Sequence, residues 1–335
     1  MSRVIRLSIA LLIVACLAGC SSWPARLDDT PGANPKVALA SLPPGKYSGM
    51  CETSITGFVE GDSQSETLDI QPVLMEMELN VEQSQTWKTG CVTITRVRVG
   101  VTGDEIDTNI PLPPDPKTQS GSNPSRILRE ELGKMIGPKS DWEIMADGRI
   151  GTLISNGLRD IEVPGVAASQ DLAHIHLQAQ ALFGGQYPKY PVGVGAIWHV
   201  TEEWRLPQEG QTPDVPVKIQ LETEYNLVSL QHLPSGQTAT IKYRCHVGRD
   251  QLIKHCREQF ATDEDVTARD LEIILEKIEC DLTVQGLMHV DVNSGLHLDN
   301  NRTTTLKLTT PIEDTDKWLK AIYVMKQNYS AKPKP

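Results

Sequence analysis

The side chains able to do chemistry in this sequence are chiefly thiols and imidazoles, and their spacing favours cross-linking over catalysis. The densest group is "CHVGRDQLIKHC", with Cys245 and Cys256 at its ends and His246 and His255 just inside them. A hairpin with an even loop around Asp250 and Gln251 would set the two cysteines opposite each other, within reach of an S–S bond. Zinc is the competing chemistry for two Cys and two His. In strands, however, the histidines point to the opposite face from the cysteines, so a disulfide is the expectation. Cys51 and Cys91 make a second candidate pair, and Cys280 is the thiol left over from an odd set. Disulfides require an oxidising compartment. The N-terminus supplies the address: Arg3 and Arg6, an apolar run from Leu7 to Leu17, then small residues before Cys20. That is the layout of a secretory leader, and the run is too short for a comfortable membrane-spanning helix.

Leu17-Ala18-Gly19-Cys20 resembles the lipobox of bacterial lipoproteins. The resemblance implies a diacylglycerol thioether on Cys20, cleavage after residue 19, and acylation of the new amine by a chain such as palmitate. Several acyl chains, at about 0.8 kcal/mol per buried methylene, make a stable anchor where a single chain is marginal. Ser21 follows rather than Asp, which in this family implies the outer membrane sooner than the inner one. The protein's membrane partner is thus expected to be met through a lipid. The formal charge of −11 becomes more negative still once Arg3 and Arg6 leave with the leader. That balance argues against nucleic acid and against electrostatic adhesion to anionic headgroups.

Other chemical motifs are weak. No nucleophile elbow, His-Glu-x-x-His helix or phosphate loop occurs. His174 and His176 lie two apart, which on a helix sends them in different directions, so no metal is expected there. The carboxylates of residues 261–270 and 314–318 lack the spacing of a calcium loop. "GVGAIW" (193–198) has Trp198 where a third glycine should stand and leads into a strand rather than a helix. The sequence therefore predicts no cofactor, no metal and no catalytic residue, and a non-enzymatic role.

The elements that would position these residues read as antiparallel strands. Alternation of apolar with charged or polar residues runs through 75–81, 217–225, 239–247, 278–284 and 288–292, the period of sheets wet on one side. Trp198, Val200 and Trp204 share one strand face, and Asp147-Gly148 marks a hairpin turn. Two helices are expected, over 123–137 between Pro124 and Gly137, and over 169–184 from a Ser cap to Gly184. Residues 311–326 fit a helix or a strand. Residues 20–44, rich in Pro, Ala and Gly, read as a flexible tether, spanning on the order of 25–30 Å. The expected organisation is a leader (1–19), the tether (20–44), a sheet-plus-helices half (45–185) and an antiparallel half (186–335). The fold class is α+β, with mostly antiparallel twisted sheets and two or three helices packed on one face.

Three stretches resemble a group of lipid-anchored envelope proteins: "LGKMIGPKSDWEIMADGRI" (132–150), "YPVGVGAIW" (190–198) and "VQGLMHVDVNSGLHLDNNRTTTLKL" (284–308). The resemblance implies sheet-rich halves akin to the open half-barrels of periplasmic lipoprotein carriers, and it assigns no activity. Three functions follow as expectations. The first is an interaction or structural module engaging other envelope proteins. The second is a carrier of a lipid or other hydrophobic ligand, lined by Met75, Leu79, Leu172 and Ile175. The third is an envelope enzyme without a recognisable motif.

Overall fold

The computed structural model describes residues 21–22, 26–27, 32–60, 65–84, 87–101, 104–110, 129–130, 132–145, 150–156, 183–184, 187–206, 217–234, 236–251, 253, 279–311 and 318–335. They form one antiparallel sheet of fourteen strands. Two short N-terminal strands, β1 (Ser21–Ser22) and β2 (Arg26–Leu27), are followed by β3 (Gly45–Glu60), β4 (Ser65–Gln83), β5 (Lys88–Val101) and β6 (Asp104–Asp107). Next come β7 (Lys139–Ile144), β8 (Ile150–Asn156), β9 (Ile197–Leu206), β10 (Val217–Leu233) and β11 (Gly236–Val247). The last three are β12 (Glu279–Asp291), β13 (His297–Pro311) and β14 (Trp318–Pro333).

The strand order is β1-β9-β10-β11-β12-β13-β14-β3-β4-β5-β7-β8, with β2 on β9 and β6 on β5. Two meanders, β3 to β8 and β9 to β14, are thus welded where the C-terminal strand meets β3, from Lys320 opposite Glu60 to Pro333 opposite Tyr47. At the far ends β1 touches β8 as well as pairing with β9, so the sheet curls round on itself. One face turns inward. On β11, Ala239, Ile241, Tyr243, Cys245 and Val247 are buried while Lys242, Arg244 and His246 are exposed. This period-2 split is what alternation in the sequence dictates when one face is dry.

Two apolar clusters fill the interior. One is built on β9 to β14 around Trp198, Leu227, Ile241 and Val290. The other is built on β3, β4, β5 and β7 around Met77, Leu79, Val92 and Ile94, and takes in Phe183 and, from the other half of the chain, Leu296 and Tyr329. The two halves expected from sequence therefore share one sheet and exchange core residues.

The α+β expectation is overturned. The described chain is antiparallel β throughout, with no helix of seven residues or more. Within 123–137 only Arg129–Glu130 and Leu132–Lys134 are helical turns among the described residues. Their neighbours Met135 and Ile136 pack on the second cluster. The helix expected over 169–184, with Leu172 and Ile175, lies outside the described residues except for its last two positions. Residues 318–326 are strand, not helix, and β14 continues to Pro333. The hairpin expected after Cys245 also fails: β11 ends at Val247 and the chain leaves the sheet in a helical turn at Arg249–Gln251.

The described part of the tether, 32–44, is tied down. Val37 and Val192 exchange both backbone hydrogen bonds at 2.8 Å, and Ala40 N–H donates to the Val292 carbonyl at 3.2 Å. Leu39 and Leu42 are buried. Lys88 Nζ donates to the Leu42 carbonyl at 2.8 Å. Gly295 shows how close the fit is: at φ +67° a Cβ there would lie 1.8 Å from the Ala40 carbonyl oxygen. Only glycine satisfies both demands.

Candidate functional site

The inner face is apolar over most of its area, with isolated polar residues at Ser140, Thr223 and His297 and one polar group that crosses three strands. That group stands at its centre, where β13, β14 and β3 lie side by side. Cross-strand register aligns Arg302, Gln327 and Thr53 in one row and Asn300, Tyr329 and Cys51 in the next. Thr304 sits one inward step along β13, opposite Met325. The parity of burial fixes the face: Asn300, Thr304, Leu306 and Leu308 are buried, while Asn301 and Lys307 are exposed.

Part of this seam is satisfied internally. Tyr243 Oη donates to Asn300 Oδ1 at 2.9 Å. Its ring lies over Gly286, where a Cβ would come within 2.3 Å of the ring carbon Cζ. Gln327 Nε2 donates weakly to Thr53 Oγ1 at 3.5 Å, and Cys51 Sγ lies 3.8 Å from the same oxygen. Of the buried atoms without a hydrogen-bond partner among the described residues, three lie in this seam, Arg302 Nε, Thr304 Oγ1 and Tyr329 Oη, while others, such as Trp142 Nε1 and Trp198 Nε1, lie elsewhere. Burying a polar group without a partner costs free energy, so such atoms cluster where a structure serves something besides its own stability. Burial pushes both the Tyr329 phenol and the Cys51 thiol up, with Thr53 and Arg302 pulling the thiol part of the way back.

The flanks of the seam differ. Toward β9 stands a row of rings, with Trp198 stacked on Tyr225 at 5.6 Å and Tyr225 tilted against Tyr243 at 5.7 Å. Trp198 is fully buried. Toward β5 the inner face carries Val73, Met75 and Val99, which are only half-buried.

A second ionic constellation sits on the outer face. A register shift between Glu76 and Met77 makes Thr95 an extra residue in β5. Such a bulge re-aims the side chains beside it, here Arg96. Its Nε donates to Asp107 Oδ1 at 3.0 Å, one terminal nitrogen donates to Glu76 Oε1 at 3.1 Å, and the other bonds Asp107 Oδ2. Asp107 is buried and also accepts from the Asn109 N–H at 2.9 Å. The Arg96 hydrogen bonds, helped by that N–H against an opposing desolvation, bring its carboxyl down to about 2. A neighbouring groove of about 410 Å³ is lined by Met50, Glu76, Glu78 and Lys332 among others. Its acids are occupied: Glu78 pairs with Lys334 at 2.6 Å, and Glu76 with Arg96.

The residues singled out from sequence fall in scattered places. Cys51 faces inward on β3 and Cys91 outward on β5, both as free thiols, so the expected Cys51–Cys91 bridge is not made. Burial and the Asp141 carboxylate opposite it push the Cys91 thiol up to about 12. Cys280 is a free, buried thiol held up to about 11, chiefly by burial. Cys245 is buried on the inner face opposite Val284, and Cys256 lies outside the described residues, as does Cys20. His246 is on the opposite face from Cys245 and pairs with Asp281. No cluster of metal-ligating side chains occurs among the described residues. Met75 and Leu79 do face inward, Leu79 fully buried and Met75 half-buried. The seam leaves no mark in the sequence: Arg302 lies within the 284–308 stretch, whose resemblance assigns no site residue, and nothing there distinguishes it as facing the interior.

No family model and no curated protein matches this chain. Solved structures with some likeness are outer-membrane channels of Pseudomonas aeruginosa. OccK11 (OpdR) matches at 7% identity and a TM-score of 0.19, covering 88% of this chain and 98% of that one. OccK2 (OpdF) matches at 5% identity and a TM-score of 0.19, covering 86% and 98%. Scores this low establish neither a shared fold nor a shared function. The faces also differ from those of a spanning barrel, which turns an apolar band outward. Here the outward side chains include Lys242, Arg244, Lys307, Lys320 and Lys326, with apolar ones such as Met50, Phe58 and Ile322 interspersed among them. No helix among the described residues is long and apolar enough to cross a membrane.

Proposed function

We propose that this protein is a non-enzymatic lipoprotein of the bacterial cell envelope that binds a hydrophobic ligand against the inner face of its curled sheet. The observation that carries the reading is the central seam: neighbouring polar groups without partners on three adjacent strands, set in a largely apolar interior and flanked by half-buried Val73, Met75 and Val99. A sheet built only to be stable would fill that position with apolar side chains. Met75 suits a surface that must adapt to a flexible chain.

The envelope address rests on the leader and on the lipobox-like Leu17-Ala18-Gly19-Cys20. Acylation of Cys20 would place the lipid directly before β1, which pairs with β9. With 32–44 also strapped to the body, the sheet would ride close to the bilayer instead of standing off on a long arm. A second reading, docking to another envelope protein, draws on Phe58 and Ile322, which are cross-strand neighbours on the outer face and 43% and 41% exposed.

Native mass spectrometry of the full-length protein released from membranes tests the main reading. Non-covalently held acyl-chain molecules, lost on gentle activation and distinct from the covalent anchor, are the expected result. A body that carries none and takes up none from mixed vesicles overturns it. Cys20→Ala should abolish fatty-acid labelling and membrane attachment, and unchanged attachment would remove the anchor from the proposal.

A further inference from the structure

We infer that Arg302, with the Thr304 hydroxyl beside it, forms a head-group clamp for an aliphatic chain ending in an acid, a carboxylate or a phosphate monoester. The inference rests on the ligand-binding reading above and specifies which end of the ligand lies where.

Acidic residues outnumber basic ones in this chain by 43 to 32, yet Arg302 has no carboxylate partner among the described residues. The inward positions around it on neighbouring strands are Gly286, Gln327, Val284 and Met288. The ionisable side chains in the next row, Tyr329 on β14 and Cys51 on β3, are both pushed up by burial and supply no carboxylate. An arginine is a donor-only group that stays charged at every physiological pH. Kept half-buried and unpaired, it presents a positive site that a ligand anion completes.

The Thr304 hydroxyl suits the same anion. Thr304 lies two residues along β13 from Arg302, on the same face. Its hydroxyl can donate, and its oxygen has no partner among the described residues. A guanidinium edge beside an O–H group suits a compact, multi-oxygen acceptor better than a neutral alcohol. The Tyr329 hydroxyl stands apart from this pair: it lies beside Gly49 on β3, where a Cβ would come within 3.0 Å of it, and Phe183 meets its ring edge-on at 5.7 Å.

The tail has one side to go to. The β9 side of the seam is closed by the stacked rings of Trp198 and Tyr225. On the other side, Thr53 leads to Val73 on β4 and Val99 on β5. From Arg302 to Val73 is three strand spacings, on the order of 14 Å, and the side chains there are half-buried.

The test uses the full mature chain carrying Cys20→Ala, so that no detergent competes, with oleate, oleyl phosphate and oleyl alcohol as probes in equilibrium dialysis. The acids should bind about tenfold or more tightly than the alcohol, the strength of a hydrogen-bonded charge contact. Whichever acid binds better identifies carboxylate or phosphate as the natural head. Arg302→Met should erase the preference, leave alcohol binding unchanged, and hold or raise the thermal midpoint. Should that variant fail to fold, Thr304→Val carries the test, with weaker acid binding and an unaltered alcohol. Equal binding of acid and alcohol by the parent protein sinks the clamp and leaves the ligand-binding reading standing. Binding of none of the three sinks both. A methionine variant that loses stability and alcohol binding together would make Arg302 a structural residue and overturn the assignment.

Discussion

Arg96 and Arg302 occupy comparable positions, each mid-strand on a long strand of the same sheet, and are treated oppositely. Arg96 is on the outer face, where water could solvate it, and still has two carboxylates arranged around it. Arg302 is on the inner face, where a partner matters more, and has none among the described residues. Electrostatics for stability predicts the reverse, because an unpaired charge costs most where the dielectric is lowest. Arg96 is explained by the fold: it fastens the short strand β6 to a bulged β5 through Asp107. Arg302 is not explained that way, and the difference separates a structural ion cluster from a site awaiting an anion.

The largest effect that would break this comparison is at Asp107. Asp107→Asn leaves Arg96 without its buried counter-charge and should cost about 1–3 kcal/mol, read as a lower denaturation midpoint. A variant as stable as the parent would remove the structural role given to that cluster. The same carboxyl sets a pH dependence. Its pKa is depressed in the folded protein to about 2, so its contribution is complete above the ordinary carboxylate range near 4. It is then lost as pH falls from there through 2. Thermal midpoints of the parent should drop across that window more steeply than those of Asp107→Asn. Parallel curves would mean that Arg96 does not hold the Asp107 proton off.

The sequence made the outer strands of this picture readable and hid its centre, and the cause is physical. Residues 75–81 and 239–247 alternate cleanly because their inward residues are apolar, from Met75 to Val81 and from Ala239 to Val247. β12 reads as two runs because Gly286 interrupts it to admit the Tyr243 ring. β3, β13 and β14 show no such clean alternation. Their inward positions include Gly49, Thr53, Asn300, Arg302, Thr304 and Gln327, which break the hydrophobic period on which strand recognition depends. The residues that make the seam polar are therefore the ones that erased its signature, as expected where a local rule yields to a site. The helix-or-strand ambiguity of 311–326 has a similar source, since Trp318, Ile322 and Met325 fit a 3.6 period although Ile322 points outward and Met325 inward. The bonds that join 32–44 to Val192 and Val292 are backbone bonds, which leave no mark on composition.

The smallest expected effect is the one that turns one arginine environment into the other. Gln327 stands directly opposite Arg302 in the β13–β14 register, and its side chain makes only the long contact with Thr53. Gln327→Glu supplies Arg302 with the carboxylate that Arg96 already has, at the cost of little existing bonding. Opposite charges directly across a sheet contribute roughly 0.2–1 kcal/mol, so a slightly higher denaturation midpoint is expected. Acid-headed ligands should bind the same variant less tightly, because the site now carries its own anion, while the matching alcohol is indifferent. A variant that is less stable, or one that binds the acid as before, would show that the Arg302 guanidinium does not face this position. The contrast with Arg96 would then lose its footing.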